Sequence, residues 1–289
     1  NGEWNMATII DGKAIAAAVR ADVAADVAAL KEKGIVPGLA VIIVGSDPAS
    51  RVYVNNKKKA CAQVGIYSEE YLLPADTDEK TLLDLIAKLN ADKNISGVLL
   101  QAPIPPHLDY RKISETISPD KDVDAFHPYN VGKIMIGDFD FVPCTPAGVI
   151  ELIKSTGTEI AGKNCVVIGR SNIVGKPQAM LLLKENGTVT VCHSKTKDIA
   201  SFTRGADILV VAVGKAGFVN GDMIKPGAVV IDVGMNRNAE GKLCGDVDFA
   251  SAEPVASYIT PVPGGVGPMT VTMLLKNTVK AAKLANGIE

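Results

Sequence analysis

At 289 residues the chain is longer than a typical small domain, and two domains are the expectation. Its 47% hydrophobic and 21% charged residues describe a globular protein, and 30 basic against 32 acidic residues argue against a general nucleic-acid binder. No apolar run has the length needed to span a bilayer, so no membrane association is expected. The five cysteines (Cys61, Cys144, Cys165, Cys192, Cys244) are scattered and never in CxxC spacing, which reads as reduced thiols, mostly buried as small hydrophobes. His107, His127 and His193 share no metal-ligand spacing, so no metal site is expected. The opening NGEWN before Met6 holds the only tryptophan and reads as a remnant of expression. No secretory signal follows it, and the expected compartment is the cytoplasm.

Residues 12–33 read as an alanine-rich amphipathic helix stopping at Gly34, and LAVIIVG (39–45) as a buried parallel strand. Asp47–Pro48 then starts a helix, because Asp accepts from first-turn amides and Pro tolerates the first helical position. At about 100° per residue, Tyr53, Lys57, Ala60, Cys61 and Val64 share one stripe, while Arg51, Asn55, Lys58 and Lys59 point elsewhere. Lys57 is thus a lysine on an apolar face, one turn after a tyrosine. Either it snorkels to the surface or it is held in a cleft, and spacing alone leaves both readings open. A strand (67–73), a capped helix (77–92) and a strand (97–103) follow, an alternation that implies βαβ units. Gln101 and its Pro-rich tail sit where the third strand ends, the edge at which open α/β sheets bind ligands.

A short helix near 110–117 leads to the polar segment SPDKDVDAFHPYN (118–130). Its alternate aspartates Asp120, Asp122 and Asp124 lack the glycine and glutamate of a calcium loop. Asp120 and Asp122 read as turn or cap residues, and Asp124 is expected to turn inward. The second half opens with a helix (147–155), after a soft boundary near 142–147 marked by Pro143 and Pro146. KNCVVIGRSNIVGKPQAMLLLKEN (163–186) reads as strand, glycine turn, helix, and further strands are expected at 188–193, 207–214, 228–234 and 257–261. A final helix is expected over 269–285.

GRSNIVGKP departs from G-x-G-x-x-G: Ser171 stands for the second glycine and Gly175 comes one position late. Strand before and helix after are nonetheless the context that phosphate binding needs, with helix-start amides meeting a pyrophosphate. An NAD site usually places an acid about 20 residues on. Here the corner is His193-Ser194-Lys195-Thr196, with Arg170 able to reach it, which favours NADP. His193 itself reads as cofactor wall or as a satisfied surface histidine. PVPGGVGPMT (261–270) combines rigid prolines with glycines that admit a flat ligand to the main chain.

Taken together, YVNNK (53–57), Gln101-Ala-Pro, KDVDAFHPYN (121–130), GRSNIVGKP (169–177), HSKT (193–196), DVGMN (232–236) and TPVPGGVGPMTVTML (260–274) resemble, in order, the bifunctional methylenetetrahydrofolate dehydrogenase/methenyltetrahydrofolate cyclohydrolases. The resemblance implies NADP-dependent oxidation of 5,10-methylenetetrahydrofolate and hydrolysis of the methenyl product to 10-formyltetrahydrofolate, within one-carbon metabolism and purine biosynthesis. It implies two α/β domains with an interdomain cleft: a folate-binding catalytic domain, 6–143 plus 271–289, and a Rossmann-like NADP-binding domain, 144–270. Lys57 would be the general acid/base of the hydrolysis, its amine made substantially neutral near pH 7 by partial burial. Gln101 would orient it and help place the water, Tyr53 would line the folate ring, and Asp124 would accept from the pterin. Val54, Asn55, Asn56, Leu100, Ala102 and the run Pro263, Gly264, Gly265, Val266 and Gly267 would contact folate. Gly169, Arg170, Ser171 and Ser194 would hold the NADP phosphates, with Met235 along the cofactor. A homodimer is implied as well.

Two departures from the family stand out: QAPIP for its usual QLPLP, through Ala102 and Ile104, and Met235 for its usual isoleucine. Competing expectations are a dehydrogenase-dominant or NAD-using relative, a non-catalytic NADP- or folate-binding module, and a shikimate-type dehydrogenase. The last would not explain the proline–glycine loop.

Overall fold

The computed structural model describes residues 6–288, so the NGEWN opening lies outside the described residues. Contacts divide the chain into two compact units: Ala18–Cys144 with Val271 onward, and the residues up to Ala17 with Thr145–Thr270. No helix among the described residues is long and apolar enough to cross a membrane.

The chain opens with β1 (Thr8–Ile9) and α1 (Gly12–Glu32). Then β2 (Gly38–Val44), α2 (Pro48–Val64), β3 (Tyr67–Leu73), α3 (Glu79–Ala91) and β4 (Gly97–Leu100) alternate as the sequence predicts. The three strands form a parallel sheet in the order β3-β2-β4. Every residue of β2 and β4 is buried, as parallel strands covered on both faces must be. Ala40, Ile42 and Val44 of β2 join Leu82, Ile86 and Leu89 of α3 in one core. Those three leucine and isoleucine positions follow the helical repeat, and each buried side chain contributes on the order of 2 kcal/mol. After α4 (Tyr110–Ser114) comes α5 (Pro128–Ile136), which has no counterpart among the expected elements. Its start is written in polar residues: the His127 ring accepts from the Tyr129 amide, Pro128 takes the first turn, and Gly137 ends it left-handed.

The other unit contains α6 (Cys144–Ser155), β5 (Asn164–Ile168), α7 (Gly175–Lys184), β6 (Thr188–Cys192), α8 (Ile199–Thr203), β7 (Ile208–Val211) and β8 (Val229–Asp232). A small antiparallel hairpin follows, β9 (Asn236–Arg237) and β10 (Leu243–Cys244), then α9 (Phe249–Ala252), β11 (Tyr258–Ile259) and α10 (Val266–Ala285). The main sheet runs β1-β11-β8-β7-β5-β6, parallel throughout. Residues 6–17, expected with the first domain, depart from that division. Thr8 and Ile9 pair with Tyr258 and Ile259, making β1 a sixth strand of this sheet. From β5 the chain goes out to β6 on one side and returns to β7 on the other. That reversal is the switch point at which open α/β sheets bind dinucleotides.

One core position in α7 is out of keeping. Gln178 is fully buried, and neither its amide nitrogen nor its oxygen has a hydrogen-bond partner among the described residues. A buried polar group left unmet costs about 1–3 kcal/mol. Gln178→Met, nearly isosteric, should therefore raise the thermal midpoint by a few degrees. A midpoint that stays put or falls in a calorimetric scan would refute that cost.

Candidate active site

Asp47 fastens the start of α2, accepting from the Ser50 amide at 2.7 Å and its hydroxyl at 2.8 Å, with Pro48 in the first turn. Measured round the helix from Cys61, Val54 lies at about +20°, Lys57 at about −40° and Val64 at about −60°. Lys57 therefore occupies the middle of a face whose other members are core residues. Tyr53, expected on the same stripe, is 44% exposed.

Lys57 Nζ donates to Gln101 Oε1 at 2.9 Å. Lys57 is half-buried, and its side-chain nitrogen ends on an amide oxygen. Gln101 follows β4 directly. Its backbone N–H donates to Ile42 O at 2.9 Å, and its side-chain Nε2 donates to Ala102 O at 2.7 Å. The acceptor oxygen is thereby aimed at the lysine. Val54 and Leu100 belong to the core, while Asn55, Asn56 and Ala102 are exposed.

The most inward of the three alternate aspartates is Asp122, a correction to the expectation for Asp124. Asp122 is 5% exposed and accepts from the His127 amide at 2.8 Å and Asn130 Nδ2 at 2.9 Å. Asp124 is half-buried. Ala125, left-handed at φ 58°, turns the chain beside it at a cost of roughly 1–2 kcal/mol. Burial pushes the Asp124 carboxyl up to about 6, the nearby Lys57 charge pulls it down, and Asp122 pushes it up. The Cys144 thiol donates to Asp124 Oδ1 at 3.7 Å, and burial holds that thiol well above its usual range. Asn277, from α10, donates to Val123 O at 2.8 Å and Val142 O at 2.9 Å, tying the two flanks of this segment. Cys144, read from the sequence only as a buried thiol, and Asn277 were given no place in the site. They stand 20 and 154 positions from their partners Asp124 and Val123, and no spacing rule connects them.

In the other unit, Gly169 closes β5 at φ 130°, where a Cβ would come within 2.2 Å of Ala212 O. A Cβ on Gly175 would come equally close, 2.2 Å, to Gly169 O. Ser171, in place of the pattern's second glycine, folds back as a cap. Its Oγ accepts from Val174 N at 3.1 Å and Gly175 N at 3.3 Å, and its carbonyl accepts from Lys176 N at 3.0 Å. Those amides, expected to face a pyrophosphate, are already engaged, which moves any phosphate contact toward the turn itself. The neighbouring strand ends in a turn in which Thr196 Oγ1 accepts from His193 N at 2.9 Å and His193 Nδ1 accepts from Lys195 N at 3.2 Å. His193 is thus committed to its own turn, while Ser194, Lys195 and Arg170 are exposed.

Met235, Asp232, Lys13 and the Pro261–Pro268 loop line a cavity of about 180 Å³. Lys13, from the first turn of α1, had not been singled out; the DGK that opens the helix was its only signal. Among the described residues no group of three or more His, Cys, Asp or Glu could hold a metal ion.

Residues 10–124 match the catalytic domain of tetrahydrofolate dehydrogenase/cyclohydrolase, and residues 143–286 match its NAD(P)-binding domain. A bifunctional FolD protein of Acetivibrio thermocellus is 63% identical over 278 residues, 96% of this chain and 98% of that one. The chain belongs to the tetrahydrofolate dehydrogenase/cyclohydrolase family. Within the family, the crystal structure of the Campylobacter jejuni bifunctional enzyme aligns with a TM-score of 0.93 at 49% identity, covering 96% of this chain and 99% of that one. The Trypanosoma brucei enzyme, solved with NADP cofactor and inhibitor, aligns with a TM-score of 0.92 at 43% identity, covering 98% and 99%. Membership of this family excludes the shikimate-type and non-catalytic readings.

Proposed function

We propose that the chain oxidises 5,10-methylenetetrahydrofolate to the 5,10-methenyl form with NADP and hydrolyses that product to 10-formyltetrahydrofolate, with Lys57 as the acid/base of the second step. The observation that carries the residue assignment is the 2.9 Å bond from Lys57 to Gln101 at the carboxyl edge of the β3-β2-β4 sheet. Asp124 lies near enough for the lysine's charge to act on it.

The dinucleotide turn fits NADP on its own geometry. Gly169 and Gly175 leave no room for a Cβ, so the turn packs closely against the end of β7 and the start of α7, and the HSKT turn offers hydroxyls and a cation without an acid. Gly169, Arg170, Ser171 and Ser194 would hold the phosphates, and Met235 would lie along the cofactor. When bound, NADP supplies the hydride acceptor. The chain's part in oxidation is positioning: Tyr53 lines the folate ring, Asp124 accepts from the pterin's amino and ring N–H groups, and Pro263–Gly267 contact the substrate. Asn55, Asn56 and Ala102, all exposed, complete the folate surface, and the buried Val54 and Leu100 support it from beneath.

In hydrolysis, water adds to the methenyl carbon and Lys57 takes its proton. The bond from that carbon to N5 then breaks as Lys57 returns its proton to N5; the adduct's remaining hydroxyl proton leaves to solvent as the C=O forms, and the formyl group remains on N10. Gln101, held by its own backbone bond, steers both the amine and the water. The Lys57–Gln101 pair argues against a dehydrogenase-dominant relative, and the acid-free HSKT corner argues against NAD. The family resemblance supports a cytoplasmic homodimer, which light scattering of the purified chain would test. An absorbance assay with methylenetetrahydrofolate and either NADP or NAD tests the whole reading. Turnover should favour NADP, and no turnover with either refutes it.

A pH signature follows from Asp124. A folded-state carboxyl raised to about 6 adds stability that is complete below its ordinary range near 4 and lost as pH rises through about 6. Recognition has the opposite sign, because only the carboxylate can accept both pterin N–H groups. The folate KM should rise several-fold between pH 7 and 5, and in Asp124→Asn it should be high and flat. A wild-type KM independent of pH over that span would remove Asp124 from this role.

A further inference from the structure

Two buried aspartates in the Thr145–Thr270 unit take no part in the scheme above, yet they are held by more hydrogen bonds than most residues in it. Asp232, 4% exposed at the end of β8, accepts from Gly234 N, Asp246 N and Val247 N, each at 2.9 Å. Asp246, fully buried, accepts from Val213 N at 2.6 Å, Gly214 N at 3.0 Å, Lys215 N at 2.8 Å and Asn236 Nδ2 at 2.8 Å. Every one of these donors is a neutral amide. The arrangement is reciprocal. A Cβ on Gly245 would lie 1.8 Å from Asp232 Oδ2, and a Cβ on Gly234 would lie 2.4 Å from Asp246 Oδ1. Each glycine makes room for the other arm's carboxylate, so DVG (232–234) and GD (245–246) close as a two-sided clasp.

The clasp gathers three strand ends. Asp246 fixes the 213–215 turn after β7. Asp232 pins both ends of the excursion that carries Met235 and the β9–β10 hairpin after β8. Its own amide donates to Thr260 Oγ1 at 2.8 Å, at the end of β11 where the proline–glycine loop begins. All three are carboxyl ends of parallel strands, on the far side of the Gly169 turn from the HSKT corner. If the 2′-phosphate occupies the HSKT corner after β6 and the pyrophosphate the Gly169 turn, the polarity of the dinucleotide is set. Its nicotinamide end must run over β7, β8 and β11, onto the clasp.

We propose that Asp232 and Asp246 are positioning residues for the oxidation alone: they hold the 213–215 turn and the Met235 segment in the shape that receives the nicotinamide end, and neither serves hydrolysis. This rests on the reading of the Thr145–Thr270 unit as the NADP-binding half. Asp246→Asn keeps the size but turns a donor toward the 213–215 amides, and Gly245→Ala drives a methyl into Asp232 from the other arm. In each, the NADP KM should rise at least tenfold and oxidation kcat should fall. Hydrolysis of methenyltetrahydrofolate, assayed without NADP, should stay within twofold. Binding of adenosine 2′,5′-bisphosphate, which probes the HSKT corner and the Gly169 turn but lacks the nicotinamide end, should also be retained. Asn236→Ala, removing one bond at a half-exposed position, should give the same pattern at about threefold. Unchanged NADP kinetics in Asp246→Asn overturn the proposal, as does a proportional loss of hydrolysis and bisphosphate binding, which would mark the clasp as general scaffolding. Failure of the NADP reading itself would show separately, as a wild-type chain that oxidises the folate with neither dinucleotide.

Discussion

Lys57→Met should lower methenyl hydrolysis about a thousandfold, within the ~10²–10⁴ range of a positioned acid/base, while NADP binding is untouched. The methionine has similar length and suits a face otherwise made of Val54, Cys61 and Val64, so folding should survive. A second consequence separates charge from proton transfer. Lys57 is the leading influence pulling the Asp124 carboxyl down, against burial and Asp122, which push it up. With the lysine gone, that carboxyl titrates above its present value of about 6, and more of it is protonated at pH 7. The folate KM for oxidation should therefore rise at pH 7 and recover at higher pH, where the carboxylate returns. Lys57→Arg keeps the cation and gives up the base. It should restore the KM without restoring hydrolysis. Hydrolysis in Lys57→Met within a few-fold of the wild type would end the assignment of Lys57 as acid/base.

The parts of this site that the sequence made legible are those whose signals are local. The Asp47–Pro48 start of α2, the stripe that carries Lys57 and the strand–turn–helix around Gly169 are each written within a few residues, where capping and periodicity operate. What escaped depends on partners distant in the chain. Nothing near Thr8 announces that it pairs with Tyr258, so β1 was not read as a strand of the second sheet. The bond from Asn277 to Val123 spans 154 positions, and no spacing rule links them. Among the aspartates, alternation identified an unusual segment but could not say which carboxyl faced in. That was decided by Asn130 and the His127 amide, contributed by a helix that proline and polar residues disguised. Ser171 shows the same limit differently: as a deviation from a glycine pattern it looked like a weakened motif, whereas its hydroxyl caps α7.

Gly169→Ala should abolish NADP binding while leaving hydrolysis in place. At φ 130° the residue occupies a region that L side chains rarely adopt, which costs roughly 1–3 kcal/mol on substitution. Its new Cβ would also meet Ala212 O at 2.2 Å. That oxygen cannot yield cheaply, because the Ala212 amide donates to Ile168 O at 2.8 Å and so belongs to the β5–β7 ladder. Overpacking adds about 1–3 kcal/mol, and the turn must move away from the strand ends it now joins. The other unit keeps its own core around β2 and α3, so assay without NADP should still detect hydrolysis. NADP affinity should fall more than a hundredfold in a fluorescence titration with NADPH. Gly162→Ala separates strain from crowding, since Gly162 is left-handed at φ 74° with nothing within 4 Å of a Cβ. It should lower the thermal midpoint by a few degrees without altering NADP affinity. A Gly169→Ala enzyme that binds NADP within threefold of wild type would show that the dinucleotide does not lie across this turn, and the placement of its phosphates would fall with it.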